Sequence, residues 1–379
     1  MIIQSKKVWV MGQFIPAQIK ITEDKIERIQ PYATEPADKD YQSLRLVPGF
    51  IDVHTHGAYG YDTNEPDPEG LRNWMRRIPE EGVTSILPTT VTQSPVVLTG
   101  ALMNVAKVVE EGYEGAQILG IHFEGPFLSM EYKGAQPPEH IAEGTPAAFD
   151  QYQKAARGLI KYITLAPEED EDLALTRYCA QHGVVVSVGH SGADYDTAVM
   201  AIANGATSMT HVFNGMTGLH HRKPGITGAA MRCRDVYGEI ICDGCHIELP
   251  VLNTYFAVKG RDYGIMITDS LCAKNGPKKD YEIGGHPYTL YEDGSAHLSD
   301  GTLAGSTLMM NQGLRILAEE AMVPFDTALN ACTINPARCL RVDDRKGKLS
   351  AGYDADIVVL RDDYSVEQTY CRGKAMLRQ

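Results

Sequence analysis

The sequence predicts an α/β fold, a (β/α)8 TIM barrel with a small β-sandwich domain built from both chain termini. Three observations predict it. From residue 47 onward, eight apolar strand candidates alternate mostly with helix-like segments, and eight β/α units over about 250 residues is the size of such a barrel. The candidate strands are continuous β-branched runs rather than strict alternations, the pattern of parallel strands buried on both faces. Residues 1–46 and 345–379 read instead as short strands with turns, which leaves 47–344 for the barrel.

The first strand lies in VPGFIDVHTHG, where Val47, Phe50, Ile51 and Val53 form an apolar run bounded by Pro and Gly. Side chains alternate across a strand, so His54 and His56 point to one face, about 7 Å apart. A helical stretch at Gly70 to Glu81 precedes GVTSILPTT, and a longer one at Pro95 to Glu111 leads to AQILGIHFEGPF. FDQYQKAARG precedes IKYITLAPE, EDLALTRYCAQHG precedes VVVSVGHS, and DYDTAVMAIANG precedes SMTHVFNGM. GEIICDGCHI and YGIMITDSL supply the last two strands, and residues 280–300 alternate around turn dipeptides.

Polar residues collect where these strands end: His54 and His56, Glu124, His190, His211, Asp243 with His246, and Asp269. In a TIM barrel the C-terminal strand ends share one face, and that face holds the active site. Metal-competent side chains converging on one mouth predict a metal centre. Other histidines have plainer readings. His182 precedes Gly183 at a helix end, where capping suffices; His122 reads as core or a support to the ligands; His140, His286 and His297 lie in polar, turn-rich segments.

Composition narrows the class. With 43% apolar and 22% charged residues the chain is globular, and no apolar run approaches the roughly 20 residues of a membrane span. A formal charge of −14 argues against nucleic-acid binding, because a phosphate backbone would be repelled. The N-terminal segment alternates like a strand pair and has no signal-peptide core, and the eight cysteines are scattered, so the expectation is a reduced, cytoplasmic protein. Cys242 and Cys245 form a lone C-x-x-C, read as ordinary thiols rather than a zinc site.

PGFIDVHTHG, HFEGPF, KGAQPPEHI, VGHS, THVFNGM, HHRKPG, DGCHI, ITDS, TLAGS and GKLSAGYDADIVVL resemble the amidohydrolase superfamily over nearly the whole chain. HFEGPF, THVFNGM and DGCHI resemble, more narrowly, its N-acetylglucosamine-6-phosphate deacetylases. The resemblance implies that Glu124, His190 and His211 hold a principal divalent ion. His54 and His56, with Glu124 bridging, would hold a second. Imidazole and carboxylate ligands suit Zn²⁺ and Fe²⁺ alike, so one or two ions of either kind are implied. Asp269 resembles the family's acid/base, and Ala135, Asn214, Gly215, Arg222, His246 and Leu303 its substrate contacts. Arg222, in HHRKPG, matches the phosphate ligand, which in the family crosses from the partner of a homodimer. The implied reaction is hydrolysis of the acetamide of a small phosphorylated amino sugar to glucosamine 6-phosphate and acetate. Two features depart from common patterns: strand 4 ends TLAPE without the bridging Lys of many superfamily members, and Gln136 stands where many deacetylases have His. The rival readings are another amidase or deaminase on the same barrel, and a non-catalytic scaffold.

Overall fold

The structure, a computed structural model, describes residues 1–277 and 280–377, so the last two residues of the expected small domain lie outside the described residues. Eight strands are β1 (Phe50–Thr55), β2 (Val83–Pro88), β3 (Ile121–Glu124), β4 (Ile160–Leu165), β5 (Val185–Val188), β6 (Ala206–Met209), β7 (Tyr237–Ile241) and β8 (Gly264–Ile267). β1 pairs with β2, and β3 through β8 pair in chain order, all in parallel. β1, β2, β3, β5 and β8 are buried along their whole length, which explains why apolar residues predominate without strict alternation.

Backbone bonds join the two parallel sheets at both edges. Thr90 N–H donates to the His122 carbonyl at 3.1 Å, beside a parallel bridge between Thr89 and His122. Asp269 N–H donates to the His54 carbonyl and His56 N–H to that of Ser270, each at 2.9 Å. The end of β8 is thereby tied to the end of β1. A buried ion pair supports the same corner: Lys274 Nζ lies 3.0 Å from a Glu81 carboxylate oxygen, and the Lys274 carbonyl accepts from Tyr59 N–H.

Helices cover the strands and begin where their caps predict. Asp67, Ser94, Thr145 and Asp194 each accept a backbone N–H in the first turn of the helix that follows, three of which start with Pro. The expected helical stretch Gly70 to Glu81 begins slightly earlier and changes type: an α-helix at Pro68–Arg77 gives way to a 3-10 turn at Ile78–Glu81. Pro79 has no N–H to continue the α-helical ladder.

The chain ends share one hydrogen-bonded sheet of eight strands. Arg45–Pro48 explains this, because it bonds in parallel to Ile2–Val10 on one side and antiparallel to Ile357–Leu360 on the other. One strand therefore stitches the N-terminal and C-terminal halves together. The sheet encloses its own core, with Ile3, Ile19, Ile26, Leu46, Ile357 and Val359 fully buried. The alternating segment near 280–300 forms a separate four-stranded antiparallel flap, Tyr281 to Gly305. Ser306 N–H donates to the Asp269 carbonyl at 2.9 Å, which anchors the flap beside the end of β8.

Candidate active site

Glu124 closes β3 and stands among four imidazoles. Its Oε1 lies 3.3 Å from His190 Nε2, 3.4 Å from His211 Nε2 and 3.4 Å from His54 Nε2; its Oε2 lies 3.3 Å from His56 Nε2. Asp269 Oδ1 joins from the end of β8, 3.0 Å from His56 Nε2 and 3.5 Å from His54 Nε2. All six side chains are buried. His190, His211 and Asp269 adopt φ of +48°, +27° and +47°. Left-handed backbone is costly for such residues and persists where surrounding structure over-determines it. Here it turns three side chains into the mouth from the residue or two beyond their strands. Gly215, at φ +57°, passes so close that a Cβ there would stand 3.1 Å from His190 Nδ1.

The nitrogen chemistry fits a cation. His190 Nδ1 faces the Tyr132 carbonyl and His211 Nδ1 the Asn214 carbonyl, each at 3.0 Å, so both Nδ1 atoms carry hydrogen. Their Nε2 atoms lie 3.0 Å apart and direct lone pairs at the same space. Two lone pairs at that distance repel unless a proton or a metal ion lies between them. Among the described residues, His54 Nε2 and Glu124 Oε1 are buried without a hydrogen-bond partner. His54, His56 and Asp269 form one compact ligand group, and Glu124, His190 and His211 another. The residues present therefore fit one or two divalent ions.

Charge balance agrees. Burial alone would favour neutral forms, yet His54 and His190 hold the Glu124 carboxyl well below the usual range. His54 and His56 do the same for Asp269 against its burial. Burial opposes charge on His56, but Asp269 and Glu124 raise it to about 9. Two ionised carboxylates facing four imidazoles make a pocket that favours positive charge.

The residues expected to meet substrate are placed unevenly. Ala135, Asn214, Gly215, His246 and Leu303 line a cavity of about 200 Å³ over the cluster, with Ile283 and Thr302 of the flap. Asn214 Nδ2 is buried there with no acceptor among the described residues, and His246 is gripped by Asp243 Oδ2 at 2.6 Å. Burial opposes charge on His246, but Asp243 outweighs it and raises its pKa. Arg222 is not brought to this cavity. It is exposed, contacts His221, and lines a separate groove with Tyr132, Asp194 and Thr217.

Three supports escape a reading of strand ends. Glu239, fully buried within β7, accepts from His54 Nδ1 at 2.9 Å. The Thr89 carbonyl faces His56 Nδ1 at 3.2 Å. Gln136 donates to Glu124 Oε2 at 2.8 Å. A charged residue inside the apolar run GEII was the one available signal for Glu239. His122 bonds the Val53 carbonyl and Thr164 Oγ1, and burial drives its pKa well below normal, so it is a neutral core histidine. Cys242 is buried and Cys245 exposed, both as free thiols, and among the described residues neither joins a metal-ligand group.

The model of the amidohydrolase family matches residues 45–376. The chain belongs to the amidohydrolase family. This amidohydrolase is 41% identical over 350 residues to the N-acetylglucosamine-6-phosphate deacetylase of Bacillus subtilis (strain 168), covering 91% of this chain and 87% of the relative. It is 33% identical over 357 residues to the N-acetylgalactosamine-6-phosphate deacetylase of Escherichia coli O157:H7, covering 94% of each. Among solved structures, an aspartate-to-alanine mutant of the Mycobacterium smegmatis N-acetyl-D-glucosamine-6-phosphate deacetylase, in complex with N-acetyl-D-glucosamine-6-phosphate, superposes with a TM-score of 0.94 at 29% identity. That match covers 100% of this chain and 99% of the other.

Proposed function

We propose that this amidohydrolase hydrolyses the acetamide of N-acetylglucosamine 6-phosphate, releasing acetate and glucosamine 6-phosphate in amino-sugar catabolism. One observation carries the reading: a buried carboxylate among four imidazoles, with Asp269 alongside, under a cavity of about 200 Å³. Glu124, His190 and His211 would hold one divalent ion, and His54 and His56, with Glu124, a second; Zn²⁺ and Fe²⁺ both suit this donor set. When bound, such an ion supplies Lewis-acid polarisation and acidifies water at neutral pH.

The chain's own groups do the rest. Asp269 is ionised, held so by His54 and His56 despite burial, and can accept a proton. It takes that proton from the attacking water as the C–O bond forms, and returns it to the amine nitrogen as the C–N bond breaks. His246, whose pKa Asp243 raises, and the Asn214 amide offer donors to sugar or phosphate oxygens. Ala135, Gly215 and Leu303 shape the wall. β4 ends Leu165–Ala166–Pro167 with no Lys at the mouth, which weighs against superfamily chemistries built on a bridging Lys.

Arg222 completes the site from outside. Its distance from the chain's own cavity supports a homodimer in which each Arg222 reaches the partner's mouth and binds phosphate through its guanidinium. The bonded edges of the two parallel sheets support a closed (β/α)8 barrel over 47–344, with residues 1–46 and 345–379 as the small β domain. Eight free thiols support a reducing, cytoplasmic setting. No helix of the described residues is long and apolar enough to cross a membrane. The test is acetate release from a panel of N-acetylated hexosamine 6-phosphates. Highest kcat/KM on the gluco isomer supports the reading, and no release from any member overturns it.

A further inference from the structure

We propose that Gln136 is a positioning residue that holds Glu124 across two metal positions at once. The inference rests on the metal reading of the cluster, and goes beyond it by naming what keeps the shared carboxylate shared. Gln136 is 4% exposed, and both ends of its amide are engaged. Oε1 accepts from Thr92 N–H at 2.8 Å, and Nε2 donates to Glu124 Oε2 at 2.8 Å. A backbone N–H can only donate and an ionised carboxylate can only accept, so the amide has one workable orientation.

That orientation separates the two oxygens of Glu124. Oε1, without a hydrogen-bond partner among the described residues, faces His190 Nε2, His211 Nε2 and His54 Nε2. Oε2, gripped by Gln136, is held on the side of His56 Nε2. The last torsion of a Glu side chain is broad and weakly restrained, so an unheld carboxylate can turn both oxygens toward one position. Among the described residues, the other close polar contacts of this carboxylate are imidazoles already assigned to an ion. An amide also suits the task by charge. Lys or Arg could hold Oε2 as firmly, but each would place a cation beside a site meant for cations.

Metal occupancy tests this directly. The wild-type chain and Gln136→Leu are stripped, dialysed against graded free Zn²⁺, and assayed for ions per chain. The expected result is two ions in the wild type, and in the variant a first ion held within about threefold and a second weakened by about 10–100-fold, the usual effect of losing a support to a ligand. Gln136→His, which can donate from one ring nitrogen and accept on the other, should recover part of the second ion. If the Leu variant fails to fold, Gln136→Asn carries the same expectation, because its amide is one methylene too short to span Thr92 and Glu124. Unchanged affinity for both ions, equal weakening of both, or a wild type that never takes a second ion would each overturn the proposal. Acetate release is not the readout, so a chain inactive on every amino sugar can still pass this test.

Discussion

Glu124 and the imidazoles around it stand at or just beyond strand ends, on backbone tied to neighbouring elements, whereas Arg222 stands on a segment closed by a small bridge between His220 and Lys223. Around Glu124 four imidazoles close in, and burial leaves each side chain one place to be. Around Arg222 the chain supplies only exposed contacts, the guanidinium to His221 and the backbone N–H to His220 Nδ1. The difference teaches that a position is only as definite as the backbone around it. A barrel mouth can assemble a charged cluster by itself, while an exposed guanidinium waits for a ligand or a second subunit to give it a role.

The comparison breaks hardest at Glu124. Glu124→Ala removes the shared carboxylate and leaves His190 and His211 without a carboxylate in their ligand group, so metal content and turnover should both be lost. Full activity with stoichiometric metal in that variant would end the metal assignment. Asp269→Asn should be the next largest effect. The amide is nearly isosteric but cannot take a proton, so metal stays bound while kcat falls by about 10²–10⁴. A variant within about tenfold of wild type would remove Asp269 from its role.

Arg222→Ala sharpens the contrast, because it should spare the cluster and weaken only the phosphorylated substrate. A loss of about 2–3 kcal/mol is the scale of hydrogen bonds to a charged group. Hydrolysis of unphosphorylated N-acetylglucosamine should barely change. Mixing Arg222→Ala with Asp269→Asn subunits should restore activity in heterodimers, and a mixture that stays inactive despite proven exchange would return Arg222 to its own chain.

The smallest effect should come from His246, whose raised pKa depends on Asp243 at 2.6 Å. A raised imidazole pKa means the pair's contribution is full below about 6.5, the unfolded value, and fades as pH climbs through the folded value. KM for the phosphorylated substrate should therefore rise on the alkaline side in the wild type. In His246→Gln it should be worse near neutrality and flatter with pH. Superimposable alkaline limbs would show that this imidazole does not hold substrate as a cation.

Much of this was open to reading from residues alone, because its cause is local. Eight apolar runs, capped helices and turn-rich ends follow from side-chain chemistry within a few positions, and so does the side-by-side placement of His54 and His56. That Glu124, His190, His211 and Asp269 would share their face follows once parallel strands are assumed, since strand ends of one direction meet at one mouth. What lies across the fold was not open in this way. Only the tertiary structure decided that Glu239, 185 residues from His54, would accept its Nδ1 hydrogen. The same holds for Thr92 turning the Gln136 amide toward Glu124, and for one strand, Arg45–Pro48, merging the two chain ends into a single sheet. These are pairings between side chains and edges far apart in sequence. Their partners are chosen by which surfaces burial brings together, and no run of neighbouring residues carries that choice.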